Sequence, residues 1–138
     1  MALFSTIKTK VTTICSDNSL INEAFNYDKP RFDKTPACTV VPSGNEALFE
    51  DTANNRRIYA FTITIFVPWD AHGATDAEDT MVDVLDSLLD DFDKDFTLTG
   101  SAIMVDAAPS AWGYQEREKL YRTAQINLKV KTLFDVTQ

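Results

Sequence analysis

The sequence predicts an α+β domain in which a four-stranded, mostly antiparallel or mixed sheet carries two main helices on one face. The expected chain order is α-β-β-α-β-β. Two segments, residues 58–67 and 120–130, alternate between apolar and polar side chains, which is typical of half-buried strands. Two other segments, residues 3–14 and 81–92, instead repeat apolar residues at helical spacing.

The first half of the chain is predicted to contain one helix and two strands. Residues 3–14 form the helix, and the polar residues 16–19 interrupt it. The apolar residues 20–25 then suggest one more helical turn. Residues 37–41 read as a short strand, residues 43–56 as an exposed loop or a hairpin arm, and residues 58–67 as the second strand.

The second half is predicted to contain the longer helix and the last two strands. Thr75 and Glu78 have the spacing of a capping box, in which each side chain satisfies a free backbone amide. Residues 103–105 are predicted to form an extended segment, and residues 120–130 the last strand of the sheet. Along the helix, the expected buried stripe is Met81, Leu85, Leu88 and Phe92, and the acidic stripe is Asp79, Asp83, Asp86 and Asp90.

The last strand has one apolar side and one mixed side. Arg122 alone breaks the apolar set near its start. Tyr121 and Phe66 should lie on or near the outer face, beside polar residues and lysines. A partly apolar outer face favours contact with a partner.

Composition excludes several classes of protein. The 138 residues fit a single domain, 1–138, and a formal charge of −8 argues against a general grip on nucleic acid. The first residues lack the pattern of a signal peptide, and no run approaches the roughly 20 apolar residues of a membrane span. We therefore expect an intracellular protein without a membrane segment.

The sequence carries no recognisable catalytic motif and predicts no cofactor and no metal, so we expect no enzyme. His72 is the only histidine, with only Asp70 and Asp76 near it in sequence. Asp91, Asp93 and Asp95 begin like a calcium loop, but Phe96 and Ala102 occupy the positions that need Gly and Glu.

The remaining candidates are the cysteines and the tryptophans. Cys15 and Cys38 are expected to be buried free thiols, with a disulfide or a reactive thiol as alternatives. Trp69 and Trp112 lie beside Pro68 and Gly113, which favours a subunit contact or edge packing over a ligand pocket or a core position.

The layout resembles the tail-terminator (tail-completion) family of long-tailed bacteriophages. The resemblance covers most of the chain, and the matching segments are residues 36–42, 57–63, 81–89, 98–100 and 121–128. The resemblance implies a ring, usually hexameric, that binds the last ring of the tail tube, stops its polymerisation and offers a surface to the head connector. Genomic DNA would pass through the ring without specific binding. The expected location is the virion tail, after assembly in the host cytoplasm.

The resemblance implies no catalytic residues, but it suggests contacts. The loops at residues 43–57 and 67–74 would meet the tube or the connector. Alternatives are another phage neck or minor tail protein, or a small protein- or ligand-binding module. The candidate interface residues are Arg56, Arg57, Trp69, Asp70, His72, Asp79, Asp83, Asp86, Trp112 and Tyr121.

Overall fold

A computed structural model describes residues 4–27, 32, 34–49, 54–68, 74–95, 104–117 and 119–135. The two helices are α1, Phe4–Asp17, and α2, Ala74–Lys94. The strands are β1, Glu23–Phe25; β2, Ala37–Phe49; β3, Asn54–Pro68; β4, Met104–Arg117; and β5, Lys119–Asp135. Along the chain they follow the order α1-β1-β2-β3-α2-β4-β5.

The described strands form one mixed sheet in the order β1-β2-β3-β5-β4. β1 is parallel to β2, and every other neighbouring pair is antiparallel. The predicted α+β class with two helices is confirmed. The predicted count of four strands and the order α-β-β-α-β-β are wrong, because a fifth strand, β1, follows α1.

The extra strand replaces the helical turn that we expected at residues 20–25. The Asn18 side-chain oxygen accepts a hydrogen bond from the Leu20 amide at 2.9 Å, and this ends α1 in a turn. Glu23 then pairs with Ala37 and Phe25 with Thr39. A three-residue strand with apolar neighbours has no clear sequence period, so its pairing with β2 decides its conformation.

All four predicted strands are longer than the sequence pattern predicts, β2 and β4 most of all. Residues 104 and 105 of the expected extension begin the 14-residue strand β4, which also contains Trp112 and Tyr114, and residue 103 lies outside the described residues. A bulge between Pro109 and Ala111 interrupts its alternation. Of the two alternatives for residues 43–56, the described part forms a hairpin arm, in which β2 pairs with β3 as far as Phe49 and Asn55.

The main core lies between the two helices and one face of the sheet. Because Tyr59 pairs with Val130 and Ile63 with Ile126, alternate residues of β3 and β5 point to this face together. Both helices pack there, as predicted, and the buried cluster contains side chains from each of them. The helical members include Ile7, Val11 and Cys15 from α1 and Met81, Leu85, Leu88 and Phe92 from α2.

A second, smaller cluster lies on the opposite face of the sheet. Phe66 and Tyr121 are each 1 % exposed, and Phe32 packs against both rings at centroid distances of 4.7 and 5.8 Å. Ala37 completes the cluster, and Phe25 packs against it. Phe66 and Tyr121 therefore lie on the outer face as expected, but the chain itself covers them.

The packing of α2 predicts a large difference between two of its apolar residues. We expect Leu88→Ala to lower the free energy of unfolding by about 2–5 kcal/mol, because it leaves a cavity in the main core. Urea denaturation followed by circular dichroism measures the change. The control is Val82→Ala on the same helix: Val82 is 45 % exposed, so its loss should cost less than about 0.5 kcal/mol. Equal costs for the two variants would contradict this packing.

Candidate functional site

At the break in the apolar side of β5, Arg122 forms a partly buried ion pair with Glu78. Arg122 lies on the helix-facing side of the sheet, opposite Val67 of β3 and one residue from the end of the β3–β5 pairing. Its side chain is 13 % exposed. The guanidinium Nε donates to Glu78 Oε1, and Nη2 donates to Glu78 Oε2 at 3.5 Å. The pair connects β5 to the first turns of α2.

The same guanidinium is held by β4. Arg122 Nη1 donates a hydrogen bond to the carbonyl oxygen of Gly113 at 3.0 Å. Its central carbon lies 5.2 Å from the centre of the Trp112 ring and 4.7 Å from that of the Tyr114 ring. Both distances fit cation–π contact. We call the group Glu78, Trp112, Tyr114 and Arg122 the aromatic–arginine surface.

The register of β4 explains why these side chains meet. Trp112 pairs with Ala124 and Tyr114 with Arg122, so both rings stand on the helix-facing side of the sheet. β4 is the last strand of the described sheet, and no further strand packs beside it. Consequently Trp112 remains 44 % exposed and Tyr114 52 % exposed, although one side of each ring contacts the cation.

Of the predicted interface residues whose side chains the structure describes, only Trp112 lies on this surface. Tyr121 contributes to the smaller core instead and is 1 % exposed. It pairs with Gln115 of β4 on the opposite face of the sheet from Trp112. The predicted set is therefore divided between two faces.

The acidic candidates lie elsewhere. Asp79, Asp83 and Asp86 are exposed on α2, away from its buried stripe. Arg56 and Arg57 lie in β3, where they pair with Leu133 and Thr132 of β5, but their side chains are outside the described part. Trp69, Asp70 and His72 also lie outside the described residues.

Sequence reasoning missed Glu78 and Tyr114 as members of this surface. Glu78 was expected to cap its own helix, but α2 already begins at Ala74, and both carboxylate oxygens bind Arg122. Tyr114 lay outside both predicted strands of the second half, residues 103–105 and 120–130, but the structure places it in β4. Arg122 itself was the sequence feature that could have indicated this surface. A single cation in an apolar row needs either a counter-charge or a side chain that reaches solvent.

The described residues contain few features suited to small-molecule or metal chemistry. Within them, no three His, Cys, Asp or Glu side chains are grouped closely enough to hold a metal ion. Asp91 of the rejected calcium loop instead accepts a hydrogen bond from Asn18 Nδ2 at 2.7 Å. One depression, of about 420 Å³, opens between α1 and β2 beside Lys8 and Pro42.

The cysteines match the expectation for buried free thiols. Cys15 and Cys38 are both fully buried and unbonded. Among the described helices, neither is long and apolar enough to cross a membrane.

Comparison with known proteins adds no relative: no protein-family model and no curated protein matches the chain.

The geometry of Arg122 predicts a measurable coupling to Glu78. In a double-mutant cycle with Arg122→Gln and Glu78→Gln, we expect a coupling of about 1 kcal/mol in the free energy of unfolding, since Arg122 is mostly buried and Glu78 partly exposed. The control cycle uses Lys94 and Asp90, an exposed pair on the same helix with side chains 73 % and 60 % exposed. That cycle should give no measurable coupling. A coupling for Arg122 and Glu78 as small as the control would contradict the assignment.

Proposed function

We propose that this chain is a structural subunit of the tail of a long-tailed bacteriophage. In this proposal the chain forms a ring, usually of six copies, that caps the tail tube and stops its polymerisation. The ring also provides the joining surface for the head connector. The family resemblance of the sequence supports this function, and the α+β fold with both helices on one face agrees with it.

The aromatic–arginine surface is the observation that carries the assembly part of the proposal. Tryptophan, tyrosine and arginine are the residues most enriched at the energetic centres of protein interfaces. Here Trp112 and Tyr114 are held on a fixed cation, so little side-chain freedom remains to be lost on binding. Large exposed rings that pack on a cation suit a contact between protein subunits.

The two ends of the sheet differ, which suits a closed ring. A ring needs two different patches on each subunit, because each copy contacts its neighbours head to tail. At one end of the described sheet is β4 with Trp112 and Tyr114, and at the other is the short strand β1 beside β2. We assign the β4 end to one side of the contact between subunits.

Charge supports the passage of DNA without specific binding. The chain carries a formal charge of −8, and Asp79, Asp83, Asp86 and Asp90 are exposed on α2. Such a surface repels phosphate rather than retaining it. Tail-tube protein and the head connector are the proposed partners, in the virion tail after assembly in the host cytoplasm.

The assembly state tests the proposal directly. We expect light scattering after gel filtration to give a mass several times the 15.5 kDa of one chain, either alone or after mixing with tail tubes. Electron microscopy should then show rings at the ends of tubes. A strict monomer that neither forms rings nor binds tubes would overturn the proposal. Rings that bind other parts of the tail or neck would favour a different phage structural protein.

A pair of variants tests the role of the exposed tryptophan. We expect Trp112→Ala to weaken assembly at least about 10-fold, because interface tryptophans commonly contribute that much. The matched control is Leu20→Ala, since Leu20 is similarly exposed, at 41 % against 44 % for Trp112, but lies beyond the end of α1. Sedimentation measures assembly, and thermal unfolding checks that both variants are folded. Unimpaired assembly of the Trp112→Ala variant would exclude the β4 end as a subunit contact.

A further inference from the structure

Cys15 and Cys38 lie on two elements that pack against each other. Cys15 belongs to the buried side of α1, together with Ile7 and Val11. Cys38 pairs with Ile65 and therefore stands on the helix-facing side of β2. Both side chains are 0 % exposed and belong to the same core cluster. The fold therefore places the two cysteines of this chain opposite each other across the contact between helix and sheet.

The two thiols are in direct contact. The Cys15 side chain is hydrogen-bonded to that of Cys38, and this bond, followed by burial, raises the pKa of the Cys15 thiol well above its ordinary value. At neutral pH the Cys15 thiol is therefore protonated and slow to react, because the thiolate is the nucleophile in disulfide chemistry. Cys15 and Cys38 form no disulfide in this structure, so both are free thiols.

We propose that Cys15 and Cys38 are a disulfide-forming pair that bonds α1 to β2 when the protein meets a two-electron thiol oxidant. With a diazene such as diamide, one thiolate sulfur first adds to the N=N bond. The second thiolate then attacks that sulfur, the S–N bond breaks, and the diazene leaves as the hydrazine. The two thiol protons end on its nitrogens, so the two sulfurs are oxidised and the diazene is reduced.

The position of the bond gives it a structural consequence. It would close a loop of about 24 residues that contains the end of α1, all of β1 and the start of β2. β1 is only three residues long and pairs with β2 alone. The disulfide would therefore fix the β1 end of the described sheet, and the aromatic–arginine surface lies at the other end, on β4. This inference does not depend on the proposed phage function.

The test is oxidation of the native chain with diamide, followed by alkylation under denaturing conditions and intact-mass analysis. We expect both thiols to disappear together in a monomer that has lost two hydrogens. The unfolding temperature of that product should be about 5–10 °C higher than that of the reduced protein. Cys15→Ala and Cys38→Ala are the matched variants, and neither should form the bond or gain stability. Oxidation should be faster at higher pH, since the thiolate fraction increases.

Three results would overturn the inference. In the first, diamide treatment of the native protein leaves both thiols free to be alkylated after denaturation, whereas the urea-unfolded chain forms a disulfide under the same conditions. In the second, only disulfide-linked dimers form, and the single-alanine variants dimerise equally well. In the third, the internal bond forms but lowers the unfolding temperature, which would mean that the native positions of α1 and β2 do not fit a disulfide.

Discussion

The pairing of β3 with β5 is the constraint on which the rest of the structure depends. These two central strands are paired along the whole of β3, from Asn54 opposite Asp135 to Pro68 opposite Tyr121. Their shared register places one row of apolar side chains against both helices and leaves the other row on the opposite face. A slip by one residue would exchange the two faces, exposing the main core and burying threonine and lysine. The positions of α1 and α2 follow from that register.

The same register creates the aromatic–arginine surface where the core ends. Arg122 occupies the last helix-facing position of β5 that is paired with β3, and Glu78 on α2 compensates its charge. The guanidinium in turn supports two rings on the edge strand. Because the Arg122 side chain is mostly buried, removal of its counter-charge destabilises the fold, which ties the order of this surface to the fold itself. In our account, the feature that ends the core is also the one that meets a neighbouring subunit.

Much of the fold could be predicted because its signals are periodic. Residues 58–67 and 120–130 alternate strictly enough to identify β3 and β5, and the stripe from Met81 to Phe92 identifies α2. β1 could not be predicted, because three residues carry no period and their pairing with β2 is a tertiary effect. β4 could not be predicted in full for a different reason. The bulge between Pro109 and Ala111 shifts the alternation of side chains in the middle of the strand.

The candidate site was harder to predict than the fold. Trp112 was identified from its position beside a turn residue, but its partners come from α2 and β5, which no local pattern joins to it. Tyr121 shows the opposite problem: it lies on the face that the alternation predicts, yet Phe32, distant in sequence, covers it. Exposure depends on which segments fold over a face, and a single sequence gives little information about that.

Electron microscopy of the assembled protein on tail tubes, at a resolution that shows side chains, tests the central claim most directly. Our account predicts that Trp112 and Tyr114 of each copy are covered by the adjacent copy and that Arg122 still contacts both rings. Assemblies in which these rings face solvent, with the β4 end of the sheet away from every subunit contact, would contradict it.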